Sequence, residues 1–107
     1  MVKITDKQVN KWIKNFKKKL VKNFEPEKII LFGSRARGDN LIESDIDLII
    51  ISKKFEELSW PKRLEKVSEL WDGFITLEPL CYTPKEFKIK TKQLGIVHQA
   101  IKEGKEL

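Results

Sequence analysis

Apolar residues in the first quarter of the chain recur at helical spacing. Val9, Trp12, Ile13, Phe16, Leu20 and Phe24 fall on one face of a helix predicted over Asp6 to Phe24. Thr5 followed by Gln8 has the form of a capping box at its start. Lys7, Lys11, Lys14, Lys17, Lys18, Lys19 and Lys22 occupy much of the remaining surface. The period then changes. Ile29 to Phe32, between Pro26 and Gly33, reads as a short buried strand. A second strand opens on Asp45-Ile46-Asp47 and continues through Leu48 to Ile51. Its alternation puts Ile46, Leu48 and Ile50 on one face, and Asp45, Asp47, Ile49 and Ile51 on the other.

Beyond that strand, Lys53 to Leu58 leads away from the sheet, and Ser59-Trp60-Pro61 marks a helix start. Leu64, Val67, Leu70 and Trp71 form its predicted stripe, with the end near Asp72-Gly73. Phe74 to Tyr82 reads as a further strand. Thr83-Pro84-Lys85-Glu86 is a second capping box, opening a helix or turn that carries Phe87. Leu94, Val97, Ala100 and Ile101 predict a last helix ending near Gly104, with His98 off that stripe on the helix surface. Trp60, Trp71, Cys81 and Tyr82 read as packing residues. The order of elements predicts an α/β (α+β) fold, a mixed β-sheet flanked by helices, in a single domain over residues 1–107.

Charge and cysteine usage narrow the setting. The net charge is +6, from 22 Lys+Arg against 16 Asp+Glu, which favours acidic partners without singling out nucleic acid. The lysines of the first helix read either as a solvated face or as a surface for RNA or an acidic partner, and no aromatic residues interleave with them. Cys81 is the single cysteine and cannot form an internal disulfide, which suits a reducing cytoplasm. No signal-like segment or membrane-length apolar stretch is present, so no membrane association is expected.

The chemistry lies between the first two strands. Gly33 lets the backbone turn sharply and approach a ligand, Ser34 offers a hydroxyl, and Arg35 to Gly38 is long enough for one helical turn. Arg35 and Arg37 add fork-shaped donors that match phosphate. Ser44 precedes the aspartates and joins the candidate nucleotide-binding set. Asp45 and Asp47 share a strand face and repel each other unless a cation intervenes. Magnesium prefers one or two carboxylates plus phosphate oxygens. A phosphate-gripping turn beside paired carboxylates is the equipment for a metal-bound nucleoside triphosphate.

Gly33-Ser34, a ten-residue spacer and Asp45-x-Asp47 resemble the motif of the nucleotidyltransferase superfamily related to DNA polymerase β, in particular its minimal single-domain members. The resemblance extends through Leu77 to Phe87 and spans roughly residues 26 to 103. It implies Mg²⁺-dependent transfer of a nucleoside monophosphate, AMP from ATP being favoured, to an acceptor hydroxyl with release of pyrophosphate. Ser34 would contact the β- and γ-phosphates, and Asp45 and Asp47 would hold two magnesium ions. Relatives take a third carboxylate from a neighbouring strand, where Thr76 stands in this chain. Glu78 shares the face of Thr76 and is either the third ligand or a charged residue ending a strand. The resemblance further implies a homodimer or a small helical HEPN-type partner protein, with the spacing of ten matching antitoxins of toxin–antitoxin pairs. Two other functions stay open: a nucleotide-binding module with little catalysis, and an RNA-acting transferase.

Overall fold

The computed structural model describes residues 5–41, 44–93 and 95–107. Helix α1 (Asp6–Phe24) begins at the Thr5/Gln8 capping box and buries Val9, Phe16, Leu20 and Phe24. Strands β1 (Lys28–Phe32) and β2 (Ile46–Ile51) pair antiparallel, with Ile30 opposite Ile49 and Phe32 opposite Asp47. Between them lies the one-turn helix α2 (Ser34–Arg37). A 3₁₀ turn (Lys53–Glu57) and helix α3 (Trp60–Ser68) carry the chain across to strand β3 (Leu77–Tyr82). β3 runs parallel to β2, which is why so long a crossover is needed. Helix α4 (Pro84–Thr91), helix α5 (Ile96–Glu103) and the short strand β4 (Lys105–Glu106) complete the chain. The sheet order is β3-β2-β1-β4, a mixed sheet in an α+β fold.

Both sheet faces are covered, so β2 is apolar on both sides except at its start. Ile29, Ile46, Leu48, Ile50 and Cys81 pack on α1, Phe55 and Val67. Ile30, Phe32, Ile49, Ile51 and Tyr82 pack on Val97 and Ala100 of α5. Full burial of each large aliphatic chain stabilises the fold by about 1.5–3 kcal/mol. Cys81 belongs to this core, and burial pushes its thiol up to about 12. No helix among the described residues is long and apolar enough to cross a membrane.

Three predicted elements differ from the structure. α3 is shorter than its apolar stripe predicts: the helix ends at Ser68, Leu64 is 42% exposed, and only Val67 of the four stripe residues is fully buried. Leu70 and Trp71 follow in a turn because Trp71 must leave the helical path to reach the edges of Phe16 and Trp12, at centroid distances of 5.4 and 6.5 Å. Its indole Nε1 donates to the Ile75 carbonyl at 2.8 Å. β3 starts at Leu77 rather than Phe74 because β2 begins at Ile46, the partner of Leu77. Phe74 has no strand to pair with and is 81% exposed, one edge against Trp12. On α5 the buried positions are Val97 and Ala100, whereas Ile101 is exposed; Leu94 lies outside the described residues.

One buried charge ties the crossover to the sheet. Arg63 donates from Nε to the carbonyls of Phe55 and Leu58, both at 3.0 Å, and from Nη1 to Cys81 O at 3.1 Å. Its fork closes on the Glu86 carboxylate at 2.6 and 3.3 Å. Burial alone would raise the Glu86 carboxyl, but Arg63 and the Thr83 N–H hold it below its ordinary value. The stability this gives is present above the unfolded-state pKa of Glu86 and is lost as pH falls through the lower folded-state value. Arg63→Met strands three carbonyls and is expected to cost about 3 kcal/mol in urea unfolding. Glu86→Gln should cost less and should flatten the acid limb of the stability profile. A loss below about 1 kcal/mol for Arg63→Met contradicts this role.

Candidate active site

At the end of β1 the chain reverses through Gly33, whose φ of 75° lies in the left-handed region. A methyl group built on Gly33 would collide with the Asp47 carboxylate. Glycine is therefore required twice here, for the backbone angle and for the close approach of Asp47. The Gly33 carbonyl accepts the N–H groups of Ala36 and Arg37 at 3.1 and 3.2 Å, and Gly38 closes the turn with φ 84°. Ser34 stands half-buried as the first residue of α2.

Parallel pairing of β2 and β3 brings the acids together. Asp47 lies directly across from Glu78, and their side chains share the sheet face that also carries Ile49 and Leu80. Asp45 precedes β2 and is exposed. A hydrogen bond shared with Asp47, then burial, then the charges of Asp47 and Asp45 raise the Glu78 carboxyl above its ordinary value. Thr76 contributes its backbone carbonyl, which accepts the Ile46 N–H at 2.9 Å.

The remaining candidates have local partners. Arg35 donates from Nε to the Ser44 carbonyl at 3.0 Å, clamping the loop that leads into β2. The Ser44 hydroxyl accepts the Leu41 N–H at 2.9 Å, so it serves the turn before the aspartates. Arg37 bonds Glu103 of α5 at 3.1 Å and Asp39 at 3.2 Å; these two acids, Glu103 foremost, raise its pKa further. Glu103 has no forewarning in the sequence, because the bond spans 66 positions.

A cavity of about 260 Å³ opens beside Gly33 and Asp47, walled on the sheet side by Phe32 and on the other by Ile96, Gln99 and Ala100 of α5. A larger hollow of about 520 Å³ lies by Asn23, Lys53, Lys54 and Lys66, among residues at the opposite ends of α1 and β2 from Asp47. We assign the chemistry to the smaller one because it alone of the two is lined by Gly33 and Asp47. Among the described residues no group of three or more His, Cys, Asp or Glu side chains forms a ready-made metal cage. The donor set nevertheless fits a divalent cation: Asp47 and Glu78 are adjacent carboxylates, and the hydrogen bond they share, then burial and like charge, raises the Glu78 pKa.

A strand, a glycine turn and an acidic strand, with a further acid on the parallel neighbour, is an arrangement that nucleotidyl transfer could use. The chain belongs to the nucleotidyltransferase domain family, whose model matches residues 13–106. It is 34% identical over 74 residues to a Methanocaldococcus jannaschii protein named "Putative protein adenylyltransferase", covering 65% of this chain and 75% of that one. Among solved structures it resembles a "putative nucleotidyltransferase" from Sulfolobus solfataricus, at 26% identity and a TM-score of 0.56, over 79% of this chain and 81% of that chain. BolA1 from Arabidopsis thaliana shares the layout at 28% identity and a TM-score of 0.54, over 68% and 92% of the two chains. The fold thus recurs under different names, and function must be argued from the site.

Two predictions follow from these contacts. Gly33→Ala should lose about 1–3 kcal/mol of stability from strain at positive φ, read by urea unfolding, and should displace Asp47. Because the folded-state pKa of Glu78 is raised, its contribution is favourable at low pH and is lost as pH climbs through that raised value. Without metal, Glu78→Gln should therefore melt higher than wild type at neutral pH and alike at acid pH. A lower melting temperature at neutral pH would contradict the repulsion.

Proposed function

We propose that this nucleotidyltransferase moves AMP from ATP, with Mg²⁺, to an acceptor hydroxyl on a partner protein. The observation that carries the reading is the Asp47–Glu78 register, which sets two carboxylates side by side on one sheet face, with Asp47 against Gly33 at the wall of a cavity. The acceptor oxygen forms a bond to the α-phosphorus as the bond to pyrophosphate breaks. Asp45, Asp47 and Glu78 would hold Mg²⁺, which when bound withdraws charge from the phosphates and from the acceptor oxygen. Gly33 admits the triphosphate close to the backbone, and the Ser34 hydroxyl donates to its outer phosphates. Arg35 keeps the loop in place through Ser44, so that Asp45 is presented at the start of β2. Arg37 sits on the rim of the cavity, and Phe32 and α5 shield one side from water. The work of the protein is positioning and charge compensation, made before the substrate arrives.

The protein acceptor is supported by the name of the Methanocaldococcus relative. The motif spacing supports an antitoxin role in the cytoplasm, in which a small helical HEPN-type toxin is the protein modified. A second copy of the chain is the alternative completion of the site. The exposed lysines of α1 favour RNA as a second reading, which strongly salt-dependent RNA binding would support.

The test is calorimetric titration of MgATP into wild type and into the Asp45→Asn/Asp47→Asn double variant, followed by mass spectrometry of a co-purified protein. Saturable binding that requires Mg²⁺ and falls at least about 100-fold in the variant, with the fold intact by circular dichroism, is expected. A mass increase of one AMP on the partner completes the case. Undiminished binding in the double variant would overturn the assignment.

A further inference from the structure

The cavity beside Asp47 is smaller than the roughly 300–1,000 Å³ of a site that encloses a whole ligand, so it suits one part of a nucleotide. Its walls are unlike at the two ends. Phe32 and Ala100 are buried apolar residues, and Ile96 stands at the lip with 62% of its surface exposed. A flat ring lying against Ile96 would cover that surface. The polar end is a chain of bonds: Arg37 Nη1 donates to Glu103 Oε2 at 3.1 Å, and Gln99 Nε2 donates to Glu103 Oε1 at 2.7 Å.

That chain settles which way the Gln99 amide is turned. An ionised carboxylate only accepts hydrogen bonds, so Glu103 must face the NH₂ end of the amide. The Arg37 bond, then that of Gln99, holds the Glu103 carboxyl below its ordinary value, which keeps it ionised at neutral pH. The Gln99 carbonyl is left as the acceptor that the α5 wall offers to a ligand. An acceptor fixed in place favours a partner with N–H bonds over one with a carbonyl oxygen at the same position.

We propose that the cavity receives the nucleoside end of the triphosphate and that the Gln99 side-chain carbonyl accepts the 6-amino group of adenine, with Glu103 as the positioning residue that orients the amide. This rests on the nucleotide reading of the site and adds the residues that choose the base. ATP and ITP differ at that position, amino in one and oxo in the other, and are otherwise alike at the six-membered ring's outer edge except for the proton on N1.

Calorimetric titration of wild type with MgATP and with MgITP tests it. Wild type should bind ATP about tenfold or more tightly than ITP, the scale of one hydrogen bond gained and one repulsion avoided. Gln99→Leu should bring the two affinities together. Glu103→Gln, which lets the amide turn over, should narrow the ratio while Gln99 itself is still present. A merely structural role for either residue would weaken both nucleotides equally and leave the ratio as in wild type. Thermal melting confirms that each variant is folded, as expected for side chains on the outer part of α5. Equal binding of ATP and ITP by wild type, or a ratio that survives Gln99→Leu, overturns this inference and leaves the nucleotide site standing. Binding of neither nucleotide overturns both.

Discussion

Carboxylates on one face of neighbouring strands repel one another, and the site depends on a fold that holds Asp47 and Glu78 together regardless. The restraint comes from the parallel ladder between β2 and β3, six residues long on each strand. Slipping it by one residue would turn Glu78 to the opposite face, into the buried layer of Leu48, Ile50 and Cys81. The core therefore fixes the register, and the register fixes the acids. Arg63 reinforces this from outside the site, since its bonds to Cys81 and Glu86 anchor the end of β3 to the α3 crossover.

The electrostatic tension is useful because it is local. Ile46, Leu48, Ile49 and Ile50 are fully buried next to the acids, so the strand cannot relax away from them. Gly33 presses on the other side of Asp47 and leaves no room for a side chain between them. The proposed cation with phosphate ligands would relieve that repulsion beside the backbone turn at Gly33. On the remaining side, α5 brings a separate set of partners, Glu103 and Gln99, toward the same cavity from far along the chain.

What the sequence discloses follows from how local each signal is. α1 was readable because its apolar period and capping box both lie within the helix. β1, β2 and the placing of Asp47 on the face of Ile49 are readable from alternation and the Gly33 punctuation. Alternation puts Glu78 on the face of Thr76, and only the pairing with Asp47 sets it beside another acid. Nothing local marks Arg63 as buried, since the carbonyls it bonds come from the turn at Phe55 and Leu58 and from Cys81 in β3. The two-residue β4 has no period to detect, and it forms because β1 offers an open edge to Lys105 and Glu106. Residue type marks Arg37 as a phosphate donor, but its bond to Glu103, which joins α2 to α5, has no local signal.

The most direct test of the central claim is where the metal–nucleotide complex sits. Proton–nitrogen NMR spectra of the labelled protein, recorded with a non-hydrolysable ATP analogue and substoichiometric Mn²⁺, locate it through the amides that the paramagnetic ion broadens. The account predicts broadening centred on Gly33, Ser34, Asp45, Asp47 and Glu78, falling away along β2 toward Ile51. Broadening centred instead on Lys53, Lys54 and Lys66, around the larger hollow, would contradict it.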